Sequence, residues 1–340
     1  MKKWYESEEA ENGIVISSRI RLARNLKELP FAVKMEKDAV EKLMGDVKDS
    51  IKQNMDSTDK AFKFVEVEKL NGNEKLSMME KHIISPNMVG KKQPCGVFIT
   101  EEETESILLN EEDHIRIQTI QAGKEIDKAW RLADKLDNLI EEKQEYAFDE
   151  KYGYLTSCPT NVGTGLRASY MMHLFGLEKT GQLSNVVQAI AKFGITVRGI
   201  YGEGTEAMGS IYQISNQVTL GQSEKEIIYN LKNVSNLVME QEERMREKLF
   251  KENGTFVEDQ MYRAYGILSH ARTISAGEAM EYLSAIREGY LLGILKEPKP
   301  KVNIYDMMIH IQQGCIQSEF DVSSQEKRDY ARAEYIRSQL

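Results

Sequence analysis

Apolar and polar side chains alternate in several short stretches of the chain, a period of two that is typical of β-strands with one buried face. In residues 14–21 the isoleucines fall on one face, and Ser17, Arg19 and Arg21 fall on the other. The same period predicts further strands over 95–100, 105–109, 115–120, 195–201 and 210–220. The polar segment 110–114 separates two of them and predicts an antiparallel hairpin with an acidic tip.

Helical spacing of apolar residues predicts helices over 36–56, 124–146, 184–193 and 224–250. Ser223 and Glu226 form a capping-box sequence at the start of the last one. Residues 71–73, Asn-Gly-Asn, predict a turn in a loop-rich segment. Beyond the polar residues 251–258 the pattern is helical with no clear strand. We therefore predict an α+β protein, with a sheet-containing domain over residues 1–255 and a small all-α domain over 256–340.

A glycine-containing stretch at residues 157–169 connects an apolar segment to a run that is predicted as helix. Gly163 and Gly165 would let backbone N–H groups approach an anion, and a helix N-terminus would add a favourable dipole. The stretch lacks the Gly-Lys-Ser/Thr ending of a Walker A loop, so we expect Arg167 to hold phosphate instead. Cys158, at its start, supplies a polarisable thiol.

The composition is ordinary for a globular protein with a sizeable core, since 41% of the residues are hydrophobic and 29% are charged. A net charge of −9 argues against a general nucleic-acid-binding protein, but clustered arginines could still hold a small anion. Three widely separated cysteines favour a reducing compartment. The N-terminus lacks the apolar core of a signal peptide, and no run is long enough to span a bilayer. We therefore expect a cytoplasmic protein without membrane contact.

Charged residues on or beside the predicted strands suggest a site for a phosphorylated ligand. The arginines in such positions are Arg19, Arg21, Arg116, Arg167 and Arg198. Together they predict a cage that binds polyphosphate oxygens bidentately, although each alone also suits a solvated, ion-paired surface. Glu112 and Glu203 lie in polar loops at sheet ends, where they could hold a cationic guanidinium while a carboxylate acts as base.

Three features keep more than one interpretation. The acidic tip at 110–114 suits a carboxylate base, a magnesium ligand or an ordinary solvated turn. Residues 202–209 contain three glycines between two predicted strands, so they suit either a lid that closes on a ligand or a plain hairpin turn. His82 alone suggests a structural hydrogen bond more than a catalytic role.

Five motifs, in this order along the chain, resemble the phosphagen (ATP:guanido) kinase superfamily. They occupy residues 17–21, 110–116, 158–165, 167–169 and 198–203, and the resemblance covers about residues 13–255. It implies a catalytic domain with a largely antiparallel sheet flanked by helices, which uses ATP bound with Mg²⁺. It also implies that Glu112 and Glu203 orient and deprotonate a guanidinium that Cys158 contacts. The implied ATP-binding residues are Ser17, Ser18, Arg19, Ile20, Arg21, His82, Arg116, Arg167, Ala168, Ser169, Tyr170, Met171, Arg198, Gly199, Ile200, Tyr201, Gly202 and Glu203.

Two further features resemble the bacterial protein-arginine kinase branch of that superfamily, the McsB type. The first motif begins at Ser17, so we do not expect the helical N-terminal domain that closes over small guanidino substrates. Residues 328–333 match an RDxxRA motif, which implies an allosteric phosphoarginine-binding site. Its residues would be Arg328, Asp329, Arg332 and Ala333.

The resemblance implies a kinase that acts on accessible arginines in proteins during the stress response. It also implies several partners. They are the Clp AAA+ unfoldase–protease, a zinc-binding activator protein, the heat-shock repressor CtsR as a substrate, and a second copy of the chain in a homodimer. Two alternatives stay open. One is a kinase for free arginine or another small guanidine, and the other is a phosphoarginine-binding adaptor without catalytic activity.

Overall fold

The computed structural model describes residues 2–55, 61–200, 207–296, 298 and 301–340. The strands within these residues are β1 (Val15–Arg24), β2 (Phe62–Glu66), β3 (Gly96–Thr100), β4 (Glu105–Leu109), β5 (Ile115–Ala122), β6 (Phe148–Asp149), β7 (Gly153–Tyr154), β8 (Leu166–His173), β9 (Ile195–Arg198) and β10 (Ile211–Asn216). The helices are α1 (Glu8–Glu11), α2 (Lys37–Met55), α3 (Gly72–Glu80), α4 (Pro86–Val89), α5 (Ile126–Glu141), α6 (Phe175–Lys179), α7 (Leu183–Ala191), α8 (Glu224–His270), α9 (Ala276–Leu291), α10 (Ile304–His310), α11 (Gln313–Phe320) and α12 (Gln325–Gln339). None of these described helices is long and apolar enough to cross a membrane.

Eight strands form one sheet in the order β2-β3-β4-β5-β1-β8-β10-β9, and every neighbouring pair is antiparallel. Strands β6 and β7 form a separate ribbon. The predicted strands and the hairpin with the acidic tip are present, although β9 and β10 end earlier than predicted, at Arg198 and Asn216. Beyond β10 the structure describes only helices and their connections, so the α+β fold class is confirmed.

Two large hydrophobic cores cover the sheet, and a third, small one lies at β3 and β4. In the larger one, Ile20 and Leu22 of β1 join α2, α5, α7 and the first half of α8. In the second, Ile120 of β5 joins the second half of α8 and helices α9 to α12. Ile120 is directly opposite Arg19 in the ladder, and Ile20 is opposite Thr119. Because successive residues of a strand point to opposite faces, the two cores lie on opposite faces, and the second shares its face with Arg19.

The run after the glycine-containing turn is a strand, so the helix predicted there is wrong. Residues 166–173 form β8, which pairs with β1 on one side and β10 on the other in the middle of the sheet. Alanine and methionine in this run favour a helix by intrinsic propensity, but burial between two partner strands overrides such preferences. The dipole of a helix N-terminus is therefore not available at this turn.

One other local prediction is also wrong. Asn71 does not begin a simple turn, because its side chain accepts hydrogen bonds from the N–H groups of Asn73 and Glu74 and caps α3. Helix α8 consists of two helices joined across a kink at Asn253 (φ −135°, ψ 26°), so the first of them ends close to the predicted residue 250. The division into domains over 1–255 and 256–340 stays a prediction.

Candidate active site

The register of the central strands places the predicted arginines on one face of the sheet. Arg21 on β1 is directly opposite Gln118 on β5 and Arg167 on β8. Residues that are directly opposite each other in a ladder point to the same face, so these side chains are neighbours. Arg198 on β9 is opposite Gln213 on β10, which aligns with the same face of β8.

The alternation of side chains along a strand places the other two arginines on this face. Arg19 lies two residues before Arg21, and Arg116 lies two residues before Gln118. We call the five side chains together the arginine face, and its members are Arg19, Arg21, Arg116, Arg167 and Arg198. Four different strands contribute to it, which explains why no single segment resembles a phosphate loop.

A cavity of about 280 Å³ opens over the arginine face. The sequence-predicted residues that line it are Arg21, Glu112, Arg116, Cys158, Arg167 and Arg198. A pocket of about 10 Å³ lies beside it and is lined by Ser17, Arg19, His82, Ser169 and Met171, among others. Gln213 lines both spaces, so the small pocket continues the cavity inward.

Burial and neighbouring positive charge oppose ionisation of the two arginines on β1. Burial, together with the nearby Arg116, lowers the pKa of Arg19 to about 10. Burial also lowers the pKa of Arg21 well below its ordinary value, and the charges of Arg19, Arg116 and Arg167 lower it further. The Nε of Arg21 is buried and has no hydrogen-bond partner in the described part of the chain. A polyanion fits this face, because its oxygens would supply acceptors and offset the repulsion between the arginines.

The acidic tip between β4 and β5 holds Arg116 from one side of the cavity. Arg116 Nη1 lies 3.0 Å from Glu111 Oε2, and its Nη2 lies 3.2 Å from Glu112 Oε2. Glu111 also accepts hydrogen bonds from Ser85 Oγ (2.5 Å) and from the backbone N–H of Glu112 (2.7 Å). Glu111 is therefore a buried anchor for Arg116, whereas Glu112 remains about one-third exposed at the cavity.

The two adjacent carboxyl groups titrate in opposite directions. Burial alone would raise the pKa of Glu111, but Arg116 and the hydrogen bonds to its carboxylate lower it below its ordinary value. The pKa of Glu112 is raised, first by burial and then by the negative charges of Glu111 and Asp113, although Arg116 opposes this. A raised carboxyl pKa makes Glu112 the stronger base of the pair once it is ionised.

Cys158 lies across the cavity in the glycine-containing turn. Its Sγ is 3.1 Å from Thr160 Oγ1, and that hydroxyl accepts a hydrogen bond from Arg167 Nη2 at 3.2 Å. Asn161 Oδ1 and the carbonyl of Asn216 accept two further hydrogen bonds from the Arg167 guanidinium, at 3.1 and 2.7 Å. The turn thus fixes the direction of Arg167 and places a thiol next to it.

Both glycines of the turn are needed for their closeness to neighbouring chain segments: Gly165 has φ +65°, and a Cβ there would lie 2.6 Å from the carbonyl oxygen of Ala23. Gly163 has φ +112°, and a Cβ there would lie 2.2 Å from the carbonyl oxygen of Thr219. The turn continues through the 3₁₀ segment Pro159–Asn161. Its backbone therefore packs against the segment after β10, and this packing sets the position of the cavity wall.

His82 forms part of the wall of the inner pocket. It is buried, has a positive φ of 61°, and its carbonyl accepts a hydrogen bond from Gln118 Nε2 at 2.7 Å. Burial, with Arg19 and Arg21 nearby, lowers the pKa of its ring to about 3. His82 therefore contributes a neutral imidazole at neutral pH.

Several of the residues predicted to bind ATP do not bring their side chains to the cavity. Ile20, Ala168 and Tyr170 belong to the larger hydrophobic core, so only their backbone could contact a ligand. The Ser18 hydroxyl donates to the carbonyl of Gly123 at 2.7 Å. Gly199 and Ile200 are buried just after β9. Tyr201, Gly202 and Glu203, and most of the proposed lid over 202–209, lie outside the described residues.

The C-terminal motif lies on α12 and is largely packed. Arg332 is 2% exposed and donates to the carbonyl oxygens of Ile311 (2.7 Å) and Ile274 (2.8 Å), and it pairs with Asp329 at 2.5 Å. Ala333 is buried as well. Arg328 donates to the carbonyl of Ser323 at 2.7 Å. The phosphoarginine-binding role of these residues stays a prediction.

Two family models match the chain. The model of the ATP:guanido phosphotransferase C-terminal catalytic domain matches residues 42–245, and that of the protein-arginine kinase McsB C-terminal domain matches residues 254–340. The chain belongs to the ATP:guanido phosphotransferases, in the protein-arginine kinase family. A protein-arginine kinase from Caldanaerobacter subterraneus subsp. tengcongensis is 46% identical over 97% of this chain and 98% of its own length. One from Clostridium kluyveri is 42% identical over 100% of this chain and 99% of its own.

Solved structures of the superfamily share the fold. A duplicated taurocyamine kinase from Schistosoma mansoni, with bound components of a transition-state analogue, superposes with a TM-score of 0.61 and 25% identity. The superposition covers 67% of this chain and 33% of that one. A lombricine kinase structure gives a TM-score of 0.61 at 24% identity and covers 69% of this chain and 67% of the other.

Sequence reasoning assigned no role to several residues that shape the site. Glu111 belongs to a predicted motif but was given no role of its own. Its carboxylate pairs with Arg116, as that of its neighbour does. Gln118 accepts from Arg19 Nε at 2.9 Å, and its place on the polar side of β5 could have suggested this. Asn161 lies between Cys158 and Arg167 in the sequence, and its polar side chain could have suggested a role in the site. Ser85 lies far from the motifs in sequence and gave no such signal.

Proposed function

We propose that this protein is a protein-arginine kinase that transfers the γ-phosphoryl group of Mg-ATP to the guanidinium of arginine side chains in other proteins. One observation carries the proposal: a single cavity is lined by four members of the arginine face together with Glu112 and Cys158. The arginines suit a polyphosphate donor, and the carboxylate with the thiol suits a cationic acceptor. The full-length relatives named protein-arginine kinase support the same acceptor.

The arginine face would bind the triphosphate and align it. Planar guanidinium groups bind phosphate oxygens bidentately, and five of them would neutralise the charge that spreads over the γ-phosphoryl oxygens during transfer. Arg116 and Arg167 are already held in fixed directions by Glu111 and Asn161. Such preorganisation lowers the barrier, because the groups need not reorient as the reaction proceeds.

Glu112 would bind the acceptor guanidinium and accept its proton. A guanidinium has a pKa above 12, so its nitrogen becomes a nucleophile only as a base removes a proton. The nitrogen then forms the N–P bond while the bond between the γ-phosphorus and the bridging oxygen of ADP breaks. The proton passes to the Glu112 carboxylate, and Cys158 would contact the guanidinium from the other side. Glu203, the second predicted carboxylate, lies outside the described residues.

Magnesium would enter with the nucleotide. In the described residues no group of three His, Cys, Asp or Glu side chains is placed to hold a metal ion. Oxygen ligands at the acidic tip could contact the hydration shell of a nucleotide-bound ion, since Mg²⁺ prefers carboxylate, water and phosphate oxygens. When bound, the ion would share the neutralisation of the phosphate charge.

Mass spectrometry can test the proposed activity. The protein is incubated with Mg-ATP and a denatured protein, and phosphorylation sites are mapped without acid treatment, because an N–P bond is acid-labile. We expect phosphoarginine in the wild-type reaction and at least about 100-fold less with Glu112→Gln. Modification restricted to serine, threonine or tyrosine would refute the proposal, and phosphorylation of free arginine alone would favour the small-guanidine kinase.

We further propose that the modification marks proteins for the Clp unfoldase–protease and regulates the heat-shock repressor CtsR, in a cytoplasmic homodimer with a zinc-binding activator protein. The support is membership of the protein-arginine kinase family together with the RDxxRA motif on α12. Degradation of a purified substrate by Clp, with and without prior phosphorylation by this protein, tests the first part. Light scattering tests the dimer.

A further inference from the structure

A buried polar cluster outside the cavity joins three separate segments of the chain. Asn25 comes directly after β1, Asp113 and His114 lie in the turn between β4 and β5, and Ser157 immediately precedes Cys158. Asn25 is 2% exposed, and Asp113 and His114 are fully buried. We call Asn25, Asp113, His114 and the backbone N–H of Ser157 the Asn25 clamp.

The side chain of Asn25 both donates and accepts hydrogen bonds in the clamp. Its Nδ2 donates to Asp113 Oδ1 at 2.7 Å and to the carbonyl of Leu155 at 3.0 Å. Its Oδ1 accepts from the backbone N–H of His114 at 2.9 Å. One amide side chain therefore fixes the acidic turn to the segment that leads into Cys158.

Asp113 closes the connection from the other side. Its Oδ1 accepts a second hydrogen bond from the backbone N–H of Ser157, at 2.7 Å. His114 ties the turn to the chain after β1 as well, because its Nδ1 accepts from the backbone N–H of Leu26 at 3.0 Å. The neighbours of these residues in sequence are Glu112 and Cys158, which line the cavity.

The geometry points to Asn25 as a positioning residue that sets the placement of Glu112 relative to Cys158 and thereby the fit of the acceptor guanidinium. This inference rests on the proposed function. Glu112 and Cys158 belong to different segments, and each has a partly exposed side chain with few contacts of its own. Their separation is therefore governed by the backbone beneath them, which the clamp holds. Small displacements of reacting groups are costly, since a misplacement of about 1 Å can lower a rate about 100-fold.

An isosteric substitution can break the clamp without opening a cavity. In Asn25→Asp the acceptor for His114 remains, but the donor to Asp113 is replaced by an oxygen that faces a buried carboxylate. Asp113→Asn keeps an acceptor for both Asn25 and Ser157. Asp113→Asn is therefore the conservative comparison for Asn25→Asp within the clamp.

Asn303 offers a matched control away from the cavity. Its Oδ1 accepts from the backbone N–H of Asp306 (2.9 Å), and its Nδ2 donates to the carbonyls of Tyr5 (3.0 Å) and Ser7 (3.3 Å). Asn303→Asp therefore removes the same kind of amide donor, in this case from two backbone carbonyls. It is not part of the lining of the cavity.

The experiment compares kinetics and thiol reactivity in the wild type, Asn25→Asp, Asp113→Asn and Asn303→Asp. We expect Asn25→Asp to lower kcat/KM for a protein acceptor about 10- to 100-fold, mainly in kcat, while the Kd for Mg-ATP changes less than about threefold. Asp113→Asn should retain more activity than Asn25→Asp, because its amide oxygen can still accept from both Asn25 and Ser157. Asn303→Asp should stay within about threefold of the wild type. An unaffected Asn25→Asp, a loss in Asp113→Asn as large as that in Asn25→Asp, or an equal loss in the control would overturn the inference.

Alkylation of Cys158 separates this inference from the proposed activity. Cys95 and Cys315 are buried, so an added iodoacetamide reports mainly on Cys158 in the folded protein. Asn25→Asp should raise its alkylation rate about threefold or more, because the segment that carries it is released. A wild type without arginine phosphorylation would refute the proposed function and leave this readout intact. If Asn25→Asp does not fold, Asn25→Ser provides the same comparison with a single remaining hydroxyl, and an unchanged rate there would count against the clamp.

Discussion

Replacing Arg21 with methionine should stabilise the free protein and at the same time abolish its stabilisation by ATP. Arg21 is held against three other arginines, and its pKa lies well below the ordinary value because of burial and their charge. Its buried Nε has no hydrogen-bond partner in the described structure. Methionine keeps much of the aliphatic packing and removes the charge. Sites evolved for an anion commonly trade stability for binding in this way.

The expected gain in the free energy of unfolding follows from the charge repulsion that the substitution removes. Guanidinium groups on adjacent strands that are about 7 Å apart repel by about 2 kcal/mol at an effective dielectric constant of about 20. Arg21 faces Arg19, Arg116 and Arg167, while Glu111 offsets part of this. Because the cavity is open to water, we expect a net gain of about 1–2 kcal/mol, or an increase in Tm of about 1–3 °C for a chain of this size.

Arg24→Met provides the matched control on the same strand. Arg24 Nη2 lies 2.6 Å from Asp137 Oδ2, its Nη1 donates to the carbonyl of Thr164 at 3.0 Å, and its guanidinium lies 3.6 Å from the ring centroid of Tyr154. Removing this arginine leaves a buried carboxylate without its partner. We expect a loss of about 3–5 kcal/mol.

Thermal unfolding with and without Mg-ATP measures both effects. At a ligand concentration of about 100 times Kd, ATP should stabilise the wild type by about 2.7 kcal/mol, and it should leave Arg21→Met unchanged. If Arg21→Met is destabilised as strongly as Arg24→Met, the description of the arginine face as a strained, preformed anion site is wrong. Stabilisation of Arg21→Met by ATP as large as that of the wild type would show that Arg21 does not contact the nucleotide.

Three other outcomes are expected. Glu112→Gln should lower kcat for arginine phosphorylation by about 10²–10⁴, and near-wild-type activity would show that another group takes the proton. Because burial raises the pKa of Glu112 and the base must be ionised, kcat/KM of the wild type should fall as pH drops through a value above the ordinary range of glutamate, a limb that is lost in Glu112→Gln. Gly163→Ala should lower the free energy of unfolding, measured in urea, by about 2–4 kcal/mol, because its Cβ would meet the carbonyl of Thr219. Gly181→Ala, at a positive φ with open space around it, should cost about 1 kcal/mol, and equal costs would contradict the packing described for the turn.

Alternation along β1 was sufficient to predict that Arg19 and Arg21 share a polar face. It could not show which strands lie beside β1, because register and strand order depend on contacts between distant segments. The pairing of Arg21 with Arg167 follows only once β8 is recognised as a strand. That recognition failed because residues 166–173 have mixed propensities and are buried on both sides by partner strands.

The motifs predicted the identity of the arginines better than the means by which they are held. Glu111 and Glu112 are adjacent in sequence and chemically identical, yet one is buried against Arg116 and Ser85 while the other reaches the cavity. Strand alternation does not extend into a turn, so the pattern could not distinguish them. Asn25 gives no signal at all in the sequence, since its partner Asp113 is 88 positions away.

Phosphorus NMR of the complete reaction tests the central claim most directly. The protein is mixed with Mg-ATP and an unfolded protein whose arginines are accessible, and the γ-phosphate signal is followed over time. We predict that it is replaced by a phosphoramidate signal that disappears on acidification and that forms at least about 100-fold more slowly with Glu112→Gln. Loss of the γ-phosphate signal to inorganic phosphate alone, or to an acid-stable phosphate ester, would contradict transfer to arginine.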